Sequence, residues 1–201
     1  TEPAAFTDAL RNEPEPQGGA EVEVIASGPD CLKDPLWEKY IALIENARTS
    51  LTIVTPYFIP DQTLFRLLVA AAAKGRRVRV LVPRRSDHRL LDFARRGYLR
   101  ELKEAGAEIL FFKPDVLHAK LLVVDDERVV IGSANLDMRS LFLNYEIAAV
   151  VREPALLAEV QAFLASLAAE STPYSEDLYR RSRTWPGRAL EALAKALAPL
   201  L

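Results

Sequence analysis

The sequence predicts an α/β domain, on three observations. Short runs rich in Val, Ile and Leu, such as Leu51–Thr55, Val78–Pro83 and Ile109–Phe112, recur along the chain with the composition of buried strands. Longer segments with apolar residues at helical spacing lie between them. The length, 201 residues, suits one such domain with a substantial core and is too short for two of ordinary size. With 50% hydrophobic and 27% charged residues the composition is that of a globular protein, which excludes general disorder.

Residues 1–20 hold Pro3, Pro14, Pro16, Gly18 and Gly19 among acidic side chains and read as a flexible tail or linker. A strand is expected over Val22–Ala26, then a turn over Ser27–Asp30. Leu36, Tyr40, Leu43, Ile44 and Ala47 mark a helix that covers one sheet face. The strand Leu51–Thr55 opens into Pro56–Asp61, and Asp61 is placed to cap a helix from Gln62 to Lys74 that Gly75 stops. This order puts Tyr57 and Phe58 at the carboxyl edge of a sheet, where open α/β sheets bind ligands. Both are candidates for lining a substrate channel, with rim packing as the alternative.

A strand at Val78–Pro83, a helix over Leu90–Ala105 ended by Gly106, and a strand at Ile109–Phe112 follow. His88, in the loop after Pro83, reads as solvated, and its spacing to His118 indicates no metal pair. Leu117–Val124 and Arg128–Ile131 are expected as antiparallel strands joined through Asp125, Asp126 and Glu127, and Tyr145–Val151 as a third. Pro154 starts a helix to about Glu170. Residues 171–182 read as irregular and 186–198 as an amphipathic helix, so 171–201 form an extension to a domain of residues 21–170.

The net charge of −2 argues against a globally basic nucleic-acid binder, yet the distribution is uneven. Between Lys74 and Lys103 eleven basic residues face three acidic ones, a local +8, so the remainder carries −10. The segment is either a solvated face or a positive rim that gathers anionic groups. Cys31 is the only cysteine, so an intrachain disulfide is excluded. The sequence contains no run of about 18 apolar residues and no signal peptide.

The polar residues able to do chemistry concentrate between Leu117 and Glu146. In an extended segment residues two apart share a face, so His118 and Lys120 project side by side. Ser133 and Asn135 arrive at the end of the neighbouring strand. An imidazole and an ammonium beside a hydroxyl and a carboxamide make a plausible oxyanion site, suited to phosphate. Glu146, at the start of the third strand, is placed to accept the other ring N–H of His118 as the third member of a triad does. Asp125, at a strand end, has the position of a turn carboxylate that braces structure.

The pattern His118-x-Lys120, four residues, Asp125, six residues, then Gly132-Ser133 and Asn135 resembles the His-Lys-Asp signature of the phospholipase D superfamily. The stretches TPYFIPD from Thr55, GSANLDMRS from Gly132 and LNYE up to Glu146 resemble the C-terminal half of the bacterial cardiolipin synthases. The resemblance implies a mixed β-sheet flanked by helices on both faces, with the active site at the seam between two such domains. One histidine attacks phosphorus to form a phosphohistidine, while the other protonates the leaving alcohol and then activates the incoming one, without metal or cofactor. His118 would hold one of these two roles. Lys120 and Asn135 would grip phosphate oxygens, Ser133 would lie within reach of them, Glu146 would orient His118, and Asp125 completes the signature.

The implied reaction is phosphatidyl transfer between phosphatidylglycerol molecules, giving cardiolipin. The implied partners are a phospholipid, a membrane surface and a second His-Lys-Asp half, supplied by the same gene product or by homodimerisation. The implied place is the cytoplasmic face of the bacterial membrane, with any anchor outside this chain. One signature where the family uses two, and a start at Thr1, lead us to expect a piece of a longer protein. Nucleic acid is not the expected partner, although a homodimeric phosphodiesterase or nuclease of the same superfamily is the alternative. A non-catalytic anion-binding domain is a third reading.

Overall fold

The structure, a computed structural model, describes residues 19–114 and 116–175. Among the described residues, ten strands and five helices follow one another in the order β1 (Glu21–Ser27), α1 (Pro35–Glu45), β2 (Ser50–Val54), β3 (Phe58–Ile59), α2 (Gln62–Ala73), β4 (Arg77–Pro83), α3 (Arg89–Glu104), β5 (Glu108–Phe112), β6 (Leu121–Val124), β7 (Arg128–Gly132), β8 (Leu136–Asp137), α4 (Met138–Phe142), β9 (Glu146–Arg152), α5 (Pro154–Ala169) and β10 (Ser171–Pro173).

Eight strands form one sheet in the order β1-β9-β7-β6-β2-β4-β5-β10. β2, β4 and β5 run parallel, and the remaining pairings are antiparallel, so the sheet is mixed. The parallel strands alternate with helices because a parallel crossover needs a long connection. β6 and β7 run antiparallel because a short hairpin joins them. Asp125 and Asp126 both have φ of 56° in that three-residue turn, which Glu127 N closes onto Val124 O at 3.0 Å, a left-handed pair that Asp tolerates better than most residues.

Side chains alternate across each strand and build two cores. Leu36, Leu43 and Ile44 of α1, Leu64 and Leu68 of α2, and Leu99 and Leu102 of α3 pack with Ile53, Val80, Leu122 and Val130 on one face. Val160, Leu164 and Leu167 of α5 cover Val54, Leu81, Val123 and Val129 on the other. The sheet is flanked by helices on both faces, as the resemblance implied. Asp61 caps α2 by accepting from Thr63 N (2.7 Å) and Leu64 N (3.4 Å), and it also accepts from Trp37 Nε1 at 2.8 Å, tying α2 to α1.

Two sequence expectations need correction. Residues 171–173 are not irregular but form β10, which pairs with β5 and closes that sheet edge. The strand expected from Leu117 begins only at Leu121; upstream, a single bond, Gly132 N to Lys120 O at 3.4 Å, extends the pairing. The short β3 and β8, paired as a small second sheet, and α4 carry too few residues for any periodicity to declare them. The expected tail over residues 1–18 and the helix over 186–198 lie outside the described residues.

Candidate active site

His118 and Lys120 sit on the extended run into β6. Leu117, Ala119, Leu121 and Val123 all contribute to the core beneath α5, while Leu122 and Val124 belong to the opposite one. The two-residue alternation therefore persists beyond the ladder, and His118 and Lys120 occupy its other positions. His118 is exposed and Lys120 half-buried. The Lys120 ammonium donates to the His118 carbonyl at 2.8 Å. Burial lowers the Lys120 pKa, against the opposing pull of the Glu146 and Asp137 charges. A cavity of about 400 Å³ opens beside it, lined by His118, Lys120, Ile131, Gly132, Glu159 and Phe163 among others.

Ser133 leaves β7 directly opposite the start of β9. Its N–H donates to Ile147 O at 2.9 Å, its hydroxyl accepts from Ile147 N at 3.0 Å, and the hydroxyl donates to Glu146 Oε2 in a short bond. Asn144 Nδ2 reaches the other oxygen, Glu146 Oε1, at 3.3 Å. The hydrogen bonds to the Glu146 carboxylate thus come from Ser133 and Asn144, not from the His118 ring. Gly132 is what allows this approach: a Cβ there would meet Ile147 O at 2.6 Å and Ala148 Cβ at 2.8 Å.

Asn135 hydrogen-bonds to Asp137, while its Oδ1 is buried with no hydrogen-bond partner among the described residues. Such an acceptor carries a desolvation cost unless a donor arrives.

Two carboxylates frame the signature differently. Asp125 is at the far end of β6, five residues beyond Lys120 or about 17 Å along an extended chain. It accepts from Arg48 N (2.9 and 3.0 Å), Thr49 N (2.7 Å), Thr49 Oγ1 (3.0 Å) and Ser50 N (3.0 Å). Burial alone would raise its pKa, but the donors from Thr49, Ser50 and Arg48 outweigh this and hold the carboxyl below the usual range. Asp125 clamps the α1–β2 connection to the hairpin. Asp137, in contrast, caps α4 through Ser140 N at 2.7 Å, and burial pushes its pKa up.

Tyr57 Oη donates to Asp87 Oδ1 at 2.5 Å, and its ring meets His88 edge-on with centroids 5.8 Å apart. Burial first, then the Asp87 bond, pushes the phenol up to about 12. The same bond leads the causes that hold Asp87 low, with charge on His88 and His118 contributing. Loop 84–88 therefore reaches the His118 side of the sheet. Phe58 is 0% exposed within the core and has no surface to offer a channel.

Sequence reading missed three of these groups. Asp137 carried a signal, the Asp-x-x-Ser spacing of a helix cap. Asp87 carried only its place in a loop after a strand. Tyr40 reads from its spacing as core and is buried; burial and then the charge of Glu146 raise its pKa.

An eight-stranded mixed sheet between helices, bearing a His-x-Lys segment with Ser, Asn and Glu at the adjoining strand ends, defines a phospholipase D-like domain. Residues 40–168 match the family model described as "Cardiolipin synthase, PLD-like domain", and the chain belongs to that family. It is 38% identical to the cardiolipin synthase of Halalkalibacterium halodurans over 99% of this chain and 39% of that protein. With cardiolipin synthase A of Proteus mirabilis it shares 35% identity over 93% of this chain and 38% of the relative. The chain thus spans about two fifths of the length of these curated relatives. Among solved structures, phosphatidylserine synthase of Haemophilus influenzae superposes with a TM-score of 0.68 at 17% identity, over 98% of this chain and 53% of that one. The phospholipase D family member Nuc of Salmonella typhimurium gives 0.66 at 20% identity, over 78% and 99%. These two likenesses concern the fold.

Proposed function

We propose that this chain is one half of a phospholipase D-type phosphatidyltransferase that makes cardiolipin from phosphatidylglycerol at a membrane surface. The observation that carries the reading is the half-buried Lys120 ammonium beside an exposed His118. Lys120 and the Asn135 amide supply donors for non-bridging phosphate oxygens, and fixed donors of this kind stabilise charge that develops there.

In the first step a histidine nitrogen attacks phosphorus and the bond to the glycerol oxygen breaks. The second histidine gives its proton to that oxygen, leaving a phosphatidyl-histidine and free glycerol. In the second step the now neutral partner takes the proton of another phosphatidylglycerol hydroxyl, whose oxygen attacks phosphorus and releases the first histidine. His118 takes one of these roles. Splitting the displacement in two lowers each barrier, and transfer in place of hydrolysis requires that water be kept from the phosphohistidine. Glu146, gripped by Ser133 and Asn144, keeps Lys120 protonated and positions the strand ends.

The scheme needs a second signature. The surface we assign to the half that brings it is an exposed apolar strip: Val22 (52%), Val24 (65%), Ile131 (36%) and Ile147 (56%). By register these side chains share the α5 side of the sheet. Contiguous apolar surface of this kind favours association. The identity to cardiolipin synthases supports lipid transfer over the nuclease reading.

The test is cardiolipin formation from phosphatidylglycerol vesicles by the assembled enzyme. His118→Ala should lower the rate about 10³-fold or more. Cleavage of a nucleic-acid diester with no turnover of phosphatidylglycerol would overturn the proposal.

A further inference from the structure

The positive segment between Lys74 and Lys103 resolves into something more specific than a charged face. Five of its arginines, Arg84, Arg85, Arg89, Arg95 and Arg96, line one cavity of about 470 Å³ at the junction of the β4–α3 loop and α3. This cavity shares no lining residue with the opening beside His118. We propose that it is a second anion site, which takes a phosphate-bearing ligand such as a diphosphate or the phosphodiester head group of an anionic lipid.

The wall is built for it. Arg95 is 3% exposed, and its Nη2 donates to Pro83 O at 2.8 Å and Arg84 O at 3.2 Å while pairing with Asp92 Oδ1 at 2.7 Å. A buried guanidinium thereby fixes the carbonyls of the loop that presents Arg84 and Arg85. Asp92 is the only carboxylate in the lining, and it is already engaged by Arg95 and by Ser86 N at 3.0 and 3.2 Å. The Arg96 guanidinium lies over the Phe93 ring, 4.2 Å from its centroid, which stiffens that side chain. Arg84, Arg85 and Arg89 are exposed and form no ion pair among the described residues.

Converging guanidinium forks match tetrahedral phosphate oxygens better than a single carboxylate. The volume suits a small ligand or head group. An extended nucleic acid is disfavoured because the rest of the chain carries a net −10 against the local +8.

The experiment is a calorimetric titration with inorganic pyrophosphate, read as binding and not as transfer, so it stands whatever becomes of the proposed function. Wild type should bind saturably, and Arg85→Gln/Arg89→Gln should bind tenfold to a hundredfold more weakly, on the order expected for losing charge-assisted bonds. Both arginines are exposed, so folding of the variant should persist; Arg85→Lys/Arg89→Lys, which keeps the charge, should recover part of the affinity. Sedimentation with phosphatidylglycerol vesicles against phosphatidylcholine vesicles then separates the sources. A deficit of the Gln variant on the anionic vesicles assigns a lipid head group, and equal sedimentation with impaired pyrophosphate binding assigns a free phosphate. Absence of saturable pyrophosphate binding, or equal affinity in wild type and the Gln variant, overturns the proposal.

Discussion

At the scale of single residues, the two acids closest to the signature do opposite work. Asp125 gathers its bonds from Arg48, Thr49 and Ser50, far from Lys120, so Asp125→Ala should cost about 2 kcal/mol of stability while leaving transfer per folded molecule nearly unchanged. Because its carboxyl titrates below the unfolded value of about 3.9, its contribution is complete above that pH and is lost as pH falls through the folded value. Urea unfolding should therefore show the gap between wild type and variant narrowing below about pH 3.9. Glu146, one of the two carboxylates that hold the Lys120 pKa up against burial, is different. Glu146→Gln should let that pKa fall further, so the alkaline limb of the pH–rate profile should move to lower pH. The rate itself should drop about 10²-fold, with the unfolding midpoint little changed.

At the scale of elements, the strand ends decide the geometry. Gly132 lets β7 close on β9 where an added Cβ would strike Ile147 O. Gly132→Ala should cost roughly 1–3 kcal/mol and displace Ser133 and Glu146, so calorimetry and transfer should fall together. Asp61 caps α2 and takes the Trp37 indole, and Asp61→Ala should cost about 1–2 kcal/mol with the site intact.

Most elements were legible in the sequence, because apolar periodicity is a local property. Asp61 at the start of α2 and the hairpin at Asp125 were readable for the same reason. The limits are equally physical. β10 was missed because Ser171–Pro173 has no strand pattern and is held only by pairing with β5. β3 and β8 were missed because two residues have no period. In the site, His118, Lys120, Ser133, Asn135 and Glu146 could be named from spacing. Asp87 against Tyr57 could not, since that contact joins segments that only the folded chain brings together.

At the scale of the whole molecule, one signature supplies one histidine and the proposed chemistry needs two. The exposed apolar strip on the α5 side of the sheet is the surface we propose for the second half. The chain is also about two fifths as long as its curated relatives. Among the described residues no helix is long and apolar enough to cross a membrane. The most direct measurement is transfer from phosphatidylglycerol across size-resolved fractions of the protein, with the mass of each fraction determined in line. Activity should appear only where the mass accommodates two His-x-Lys segments, and it should vanish from those fractions in His118→Ala. Full activity in a fraction holding a single copy of this chain and nothing else would contradict the account.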